Sequence, residues 1–425
     1  YNYAQNNDYI LPKVYMYELD LFSDLRVCET GDAPFRSINA AIDFVERYID
    51  AGLYVNEPIF IYVQGTFNES VNLSHLASKG ITNFTIDGEG RATLAGNGTG
   101  HGFFLSVGSD VDFDEAEYKI KRINITGFER GIVYHEYNDV DSYDPVIKLT
   151  IDHCNIYGCG ASVCTDDGFS AGAIHFEGTG TINGCKFWNN SVSGSDLTNC
   201  ESYLAGALYL KNNSSNQLVI RNCHFDNNSG GAAGAIMVSG VGKVIIGSNS
   251  FNANDATSTF GSVTYIDAND ISVCDAPNKI LISHNIFKGI QGTSIGLKTS
   301  SAQQDESGKD ITLTNNTISF DVQDTHFGSV YALKLEITSD PAQQYQSIQC
   351  QNNVFMCNHP NICKVSKSSG YHPTVFDHNI LHNVTTAQSS FVLNTTDPSQ
   401  PLYNLMCDPK LDSNLTPIWT ATTMS

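Results

Sequence analysis

The sequence predicts an all-β fold: a right-handed parallel β-helix of about ten coils, three short strands each, with an N-terminal amphipathic capping helix. Three observations predict it. A phrase of apolar-x-apolar, two residues, Cys or Asn, one residue and a large apolar side chain recurs about every 26 to 39 residues. A Gly-Ala-apolar segment precedes the phrase in several copies. A single stripe of apolar residues at helical spacing precedes the whole series.

The phrase reads Leu149-x-Ile151-x-x-Cys154-x-Ile156, Leu218-x-Ile220-x-x-Cys223-x-Phe225 and Val244-x-Ile246-x-x-Asn249-x-Phe251. It returns as Ile280-x-Ile282-x-x-Asn285-x-Phe287 and Ile311-x-Leu313-x-x-Asn316-x-Ile318, with looser copies centred on Phe84, Ile123, Cys185, Asn353 and Asn379. Two apolar positions share one parity, then a step of three leads to two more. Strict alternation keeps all four on one face, so the odd step marks a tight bend between two strands that both face inward. The third strand is read at Gly172-Ala173-Ile174-His175-Phe176, Gly206-Ala207-Leu208-Tyr209-Leu210 and Gly234-Ala235-Ile236-Met237-Val238, with weaker echoes from Gly261 and Gly328. Strands of neighbouring coils then pair in parallel, about 4.8 Å apart, around a narrow apolar interior.

At the bend, Cys154, Cys185, Cys223, Asn249, Asn285, Asn316, Asn353 and Asn379 make one ladder of rungs. Stacked amides can bond to each other and to bend backbone groups. The three cysteines read as small buried hydrophobes, and a disulfide between rungs stays open at this level. Upstream, Phe35, Ile38, Ile42, Val45 and Ile49 recur at helical spacing, with Asp32 and Pro34 as start signals and Gly52 as stop. A helix within 31–57 would cover the exposed edge of the first coil. Residues 1–30 form an aromatic extension or docking arm (Tyr15, Tyr17, Leu19, Leu21, Phe22), the repeat occupies 58–395 as one domain, and 396–425 is a C-terminal tail that reads as unfinished.

A net charge of −22 over 425 residues argues against nucleic acid or an anionic membrane as partner. The carboxylates cluster at Asp110, Asp112, Asp114, Glu115 and Glu117, then at Asp139, Asp141 and Asp144, as a solvated acidic face. Asp110, Asp112 and Asp114 are also candidate Ca²⁺ ligands, without the Gly and terminal Glu of an EF-hand loop. No other cofactor is expected. Twelve cysteines with no CxxC point to an oxidising compartment rather than a zinc site. Cys159, Cys164, Cys200, Cys350, Cys357 and Cys363 are the expected bridges. Asn-x-Ser/Thr sequons begin at Asn68, Asn72, Asn83, Asn97, Asn124, Asn189, Asn212, Asn213, Asn227, Asn315, Asn383, Asn394 and Asn414. Carbohydrate on them requires passage through a secretory pathway, and the start at Tyr1 fits removal of a signal peptide. No apolar stretch reaches the length of a membrane span.

Two resemblances follow from the motifs. Phe35-Arg-Ser-Ile-Asn-Ala-Ala-Ile-Asp, Ile61-Tyr-Val-Gln-Gly-Thr-Phe-Asn-Glu and Thr85-Ile-Asp-Gly-Glu-Gly together resemble the opening of the pectin-lyase-like superfamily, and of pectin methylesterases within it. This covers about 65 residues and implies the fold; in that superfamily the region is scaffold. The middle third resembles the repeats of chlamydial polymorphic membrane proteins. It matches in Phe187-Trp-Asn-Asn190, Phe225-Asp-Asn-Asn228 and Phe251-Asn-Ala-Asn254, interleaved with Ala171-Gly-Ala-Ile174, Ala205-Gly-Ala-Leu208 and Ala233-Gly-Ala-Ile236. That resemblance implies surface proteins and adhesins.

The enzyme motifs of these relatives are missing. No Gln-Asp-Thr-Leu-Tyr, Val-Asp-Phe-Ile-Phe-Gly or Arg-x-Pro-x-x-Arg occurs. Asp166-Asp167 is similar to the paired aspartates of polygalacturonases, which activate water and protonate a leaving oxygen, but without the accompanying Asn-Thr-Asp, Gly-His-Gly and Arg-Ile-Lys. Ile151-Asp152-His153-Cys154 looks like a lyase strand, yet His284 and His378 hold the same repeat position, which reads as a bend residue. Trp188 and Tyr157 can stack on sugar rings or pack locally. The expected function is an extracellular or cell-surface structural glycoprotein. It is a β-helical rod that assembles head to tail with itself into a filament, or an adhesin for other surface glycoproteins, and it carries N-linked glycans. The alternatives are a polysaccharide lyase or glycoside hydrolase using Asp166, Asp167 or His153 on acidic polysaccharide, and a non-catalytic carbohydrate-binding protein.

Overall fold

The computed structural model describes residues 24–52, 57–107, 115–136, 146–161, 170–192, 204–212, 217–240, 243–256, 262–267, 279–289, 293–300, 309–320, 333–338, 346–357, 363–367, 374–382 and 405–406. They are mostly short strands, paired in parallel. Parallel neighbours cannot be joined by a tight turn, so each strand pairs with its counterpart one repeat away. The chain divides into two compact units, Tyr1–Cys200 with Ala207–Lys211, and Glu201–Gly206 with Asn212–Ser425.

In the first unit one ladder runs through Leu25–Cys28, Ile59–Phe67, Asn83–Ala95, Glu115–Thr126, Val146–Asp152 and Thr179–Asn183. Beyond the bend, Asn155–Tyr157 pairs with both Glu115–Thr126 and Lys186–Trp188. A separate ladder holds Val71–Asn72, His101–Val107, Arg130–Glu136, Ile174–Glu177 and Leu208–Asn212. The second unit repeats the arrangement. Its ladders run from Gln217–Arg221 through Lys243–Gly247, Lys279–Ser283, Lys309–Thr314 and Gln346–Gln351 to Thr374–Asp377. The strands after the bend run from His224–Asp226 through Ser250–Asn252, Ile286–Lys288, Thr317–Phe320 and Val354–Cys357 to Ile380–His382. The third strands run from Ala233–Gly240 through Ser262–Asp267, Thr293–Ser300 and Leu333–Thr338 to Cys363–Lys367.

The apolar residues of the repeated phrase meet like with like. Val244 lies between Leu218 and Ile280, and Ile246 between Ile220 and Ile282, all buried. Phe225, Phe251 and Phe287 form a stack with ring centroids 4.9 and 4.5 Å apart and planes within 8°. The strand spacing dictates that parallel-offset geometry, and full burial of each ring contributes about 1.5–3 kcal/mol.

The odd step of three has a backbone cause. The residue before each rung takes a left-handed conformation: His153, Asn222, Ser248, His284, Asn315, Asn352 and His378 have φ of 53° to 57°. Asn reaches this region at lower cost than most residues, and β-branched residues are strained there. The turn it makes drives the next side chain inward. Asn285, Asn316 and Asn353 in the second unit then saturate their amides. Asn285 Oδ1 accepts the Asn249 backbone N–H and Nδ2, both at 3.0 Å; Asn285 Nδ2 donates to Asn316 Oδ1 at 3.0 Å and to the Ile246 carbonyl at 2.9 Å. Asn316 and Asn353 repeat the pattern, and Asn379 Nδ2 closes on the Cys350 carbonyl at 3.0 Å. Two donors and two lone pairs are all used.

Cysteine replaces the amide in the first unit. The thiols of Cys154 and Cys185, both fully buried, donate to the Ile120 and Ile151 carbonyls at 3.5 Å. Burial first, then the neighbouring Cys185, holds the Cys154 thiol well above its usual range. A second ladder, absent from the sequence reading, follows the next left-handed residues, Asn189, Asn227 and Ala253. Asn190 belongs to it in the first unit; Asn228 and Asn254 belong to it in the second, where Asn228 donates its backbone N–H and Nδ2 to Asn254 Oδ1 at 3.1 and 2.9 Å. Cys159, expected in a bridge, is instead a free buried thiol on this ladder, its backbone N–H bonded to Asn190 Oδ1 at 3.1 Å. Burial pushes that thiol up to about 11. Of the other expected bridges, Cys164 and Cys200 lie outside the described residues, as do the side chains of Cys357 and Cys363; Cys350 is buried beside Asn353.

The helix spans Ile38–Asp50 and packs on Leu25–Cys28 and Ile59–Phe67, burying Ile38, Ala40, Ala41, Ile42 and Val45. Its start lies later than Asp32 and Pro34 suggest. Ser37 is the N-cap, accepting from the Ala40 N–H, and the Glu69 carboxylate accepts from the Ile38 and Asn39 N–H groups at 2.7 and 3.2 Å. Phe35 lies outside the helix, in a bridge to Val27. In the second unit the glycines of the Gly-Ala-apolar segments are required by close approach. A Cβ on Gly206 would lie 2.1 Å from the Gly234 carbonyl, and one on Gly234 would lie 2.7 Å from the Asp255 nitrogen.

Adjacent asparagines therefore differ sharply in what they do. Asn353→Ala strands the Leu313 carbonyl and the Asn316 N–H, and we expect it to cost about 3 kcal/mol or more. Asn352→Gly, at the exposed left-handed position, is expected to stay within about 0.5 kcal/mol. Urea denaturation followed by circular dichroism measures both.

Candidate functional site

Asp110, Asp112, Asp114, Asp166 and Asp167 lie outside the described residues. Of the acidic run, Glu115 pairs with Lys148, and Glu117 pairs with Lys119 at 2.6 Å. His153 is an exposed bend residue whose polar partner among the described residues is Asp152, Nδ1 to Oδ1 2.9 Å; Asn183 Nδ2 donates to the same oxygen at 2.7 Å. No hydroxyl or thiol joins this pair among the described residues, so it has a base and an orienting carboxylate without a nucleophile. Tyr157 and Trp188 are register partners on neighbouring strands and stack on each other, centroids 4.3 Å apart and planes within 6°. Each thus spends one ring face on the other.

The sequon asparagines are placed outward or partly so. Asn68, Asn72, Asn97, Asn189, Asn227 and Asn315 are exposed, and Asn83 and Asn124 are half-buried. Asn124 is also engaged, donating to Thr93 Oγ1 at 3.4 Å and accepting from Asn155 Nδ2 at 2.8 Å. The side chains of Asn212, Asn213, Asn383, Asn394 and Asn414 lie outside the described residues.

Among the described residues, one buried polar cluster was not among the expected sites. It lies in the first unit, on the face of Arg130–Glu136 and Ile174–Glu177 opposite the apolar interior. Ile174 and Phe176 pair with Ile132 and Tyr134 inward, and Tyr134 meets Phe176 edge-on at 5.0 Å. Alternation sends His175 and Glu177 to the other face, with Val133 and His135 beside them and Tyr209 and Lys211 on the far side. The middle of that face is covered, with His175 1% exposed, Val133 2% and Tyr209 0%, while His135 and Glu177 at its edge stay partly exposed. Glu177 accepts from both histidines, Oε1 to His175 Nε2 at 3.1 Å and Oε2 to His135 Nδ1 at 3.3 Å. The His175 ring lies 4.7 Å from His135 and 4.8 Å from Tyr209, centroid to centroid.

Burial raises the Glu177 carboxyl, but the His135 and His175 hydrogen bonds, with the Lys211 charge, outweigh it and hold the group far below its usual range. Burial lowers His175, more strongly than Glu177 raises it. The two directions agree if a neutral His175 donates Nε2–H to an ionised Glu177. His175 Nδ1 then has no partner among the described residues. His101 is lowered by burial and by Arg130, and its Nδ1 is also buried without a partner among them. One carboxylate and two imidazoles within 4.8 Å of one another are a donor set for a transition metal.

Comparisons with protein-family models, with curated proteins and with solved structures return no match.

Two predictions follow from these geometries. Replacing His153 by Gly is expected to leave stability within about 1 kcal/mol, whereas His153→Val costs about 1–2 kcal/mol through the left-handed backbone; thermal melts compare them. In EDTA-containing buffer, the unfolded chain gains protons near 6.5 that the folded His175 and His101 resist, so stability falls as pH drops below 6.5. The contribution of Glu177 persists above 4.5 and is lost as pH falls below that value. Arg130, Glu129, His135 and Lys211 face the same groups. His175→Gln is expected to flatten the urea midpoint between pH 7 and 5.5; an unchanged slope rejects the assignment.

Proposed function

We propose that each unit of the chain is a stretch of right-handed parallel β-helix, and that the protein is an extracellular or cell-surface structural glycoprotein. Support for the coil comes from the three strand sets that repeat in parallel register and from bends that turn consistently at one left-handed residue. The helix Ile38–Asp50 acts in this reading as a cap over the first strands. A covered edge disfavours head-to-tail stacking through that end, so N-linked glycans and other surface glycoproteins are the favoured partners. The resemblance of the Phe-x-x-Asn repeats to those of chlamydial surface proteins points the same way.

The observation that carries the reading is the placement of the sequons: none whose side chain is described is buried, and Asn189, Asn227 and Asn315 stand at outward left-handed bends. An exposed Asn at a bend lies where a glycosylating enzyme can reach it, and Asn315 Nδ2 also meets His284 Nε2 at 3.3 Å. No helix among the described residues is long and apolar enough to cross a membrane. Enzymatic deglycosylation in H₂¹⁸O, followed by peptide mass spectrometry of protein secreted from a eukaryotic host, tests this. Occupancy is expected to be high at Asn68, Asn72, Asn97, Asn189, Asn227 and Asn315, and lowest at Asn124. Retention inside the cell with no sugar on any of them would overturn the proposal.

A further inference from the structure

A buried polar cluster that neither the strand ladders nor the glycan reading uses is His135, His175 and Glu177. We infer that these three side chains form a site for one divalent transition metal of the Zn²⁺ class, with His135 Nδ1, His175 Nε2 and the Glu177 carboxylate as ligands.

Four observations carry it. The donor types are right: two imidazoles and a carboxylate make a three-ligand set that leaves one position for water or another ligand. The spacing suits a carboxylate that bridges the two imidazoles: His175 Nε2 lies 3.1 Å from Glu177 Oε1 and His135 Nδ1 lies 3.3 Å from the other oxygen, Oε2, close to the roughly 3.3 Å between tetrahedral zinc ligands. All three ligand atoms fall within 4.8 Å. The positions are fixed by the sheet, since Glu177 is the register partner of His135 and shares a face with His175 two residues earlier on its own strand. Ligands on paired strands need little ordering when the ion arrives. Finally, His175 is 1% exposed and aims Nε2 into the cluster.

The proton balance is simple. Without metal, His175 donates Nε2–H to Glu177. With metal, the His175 proton moves to Nδ1 and the His135 proton moves from Nδ1 to Nε2, and the two vacated lone pairs take the ion. Lys211, the register partner of Glu177 on the other side, is the neighbouring cation with which the ion shares the carboxylate's field. The soft-borderline imidazole pair selects against Ca²⁺, which takes six to eight oxygen ligands.

The test uses the full-length chain stripped with EDTA and titrated with ZnCl₂ by calorimetry, with bound metal counted by mass spectrometry. The parent protein is expected to hold one equivalent that resists dialysis, and CaCl₂ is expected not to displace it. His135→Gln and Glu177→Gln are each expected to weaken that equivalent about 100-fold, with His101→Gln leaving it unchanged. Because His175 is fully buried and its variant can misfold, the partly exposed His135 is the primary test, with circular dichroism as the folding check. Co²⁺ substitution adds a second readout: visible d–d bands of a tetrahedral site in the parent and their loss in His135→Gln. No tight equivalent in the parent, or the same equivalent in a folded His135→Gln and Glu177→Gln double variant, would overturn the inference, the latter showing adventitious binding by other histidines.

Discussion

The rest of the structure depends on the complete hydrogen bonding of a buried side-chain amide. At each bend of a parallel stack the backbone turns out of ladder pairing and leaves groups that water cannot reach. An orphaned group of that kind costs about 1–3 kcal/mol. Asn285, fully buried, answers with two donors and two lone pairs, bonded to the Ile246 carbonyl of the preceding repeat and to the rungs on either side. This solution works only if the next rung lies one strand spacing away. It therefore fixes the spacing between repeats and leaves the loops alone: successive rungs are 36, 31, 37 and 26 residues apart between Asn249 and Asn379. Length varies where the chain leaves the ladder, and the register of the interior does not.

The same constraint places the chemistry. His135 and Glu177 meet because the third-strand ladder of the first unit holds them side by side, and His175 joins them through the two-residue period of the strand. A register slip of one residue would carry His175 and Glu177 into the apolar interior and expose Ile174 and Phe176. The stacking interior thus protects the cluster's geometry, although no rung touches it. The cysteine rungs Cys154 and Cys185 show that a weak S–H donor suffices where a carbonyl alone must be met.

The repeated phrase was legible because it names the same residue type at the same parity many times, and one backbone cause, the left-handed residue before each rung, explains the irregular step. His284 and His378 sharing the position of His153 already marked that histidine as part of the bend, and its φ of 53° is the physical reason. The second ladder was on the page as Phe-x-x-Asn but was read as a family motif rather than as a second bend, so Cys159 was assigned to a bridge it does not make. The helix start was misjudged because Glu69, some thirty residues away, supplies acceptors that a local reading of Asp32 and Pro34 cannot see. The His135–His175–Glu177 cluster was invisible for a similar reason. His175 and Glu177 read as an ordinary alternation within one strand, and only the register across two strands adds His135.

Backbone amide hydrogen exchange at the rungs tests the central claim most directly. In a saturated ladder the backbone N–H groups of Asn249, Asn285, Asn316 and Asn353, which donate to side-chain oxygens rather than to a strand, exchange as slowly as their strand neighbours Ile246, Ile282 and Leu313. Substituting Asn316 by Ala should release the Asn285 N–H while leaving strand amides two coils away protected. Rapid exchange at the rungs in the unsubstituted chain would mean that water, not the amide ladder, satisfies the bends, and the account of what holds the parallel strands in register would be wrong.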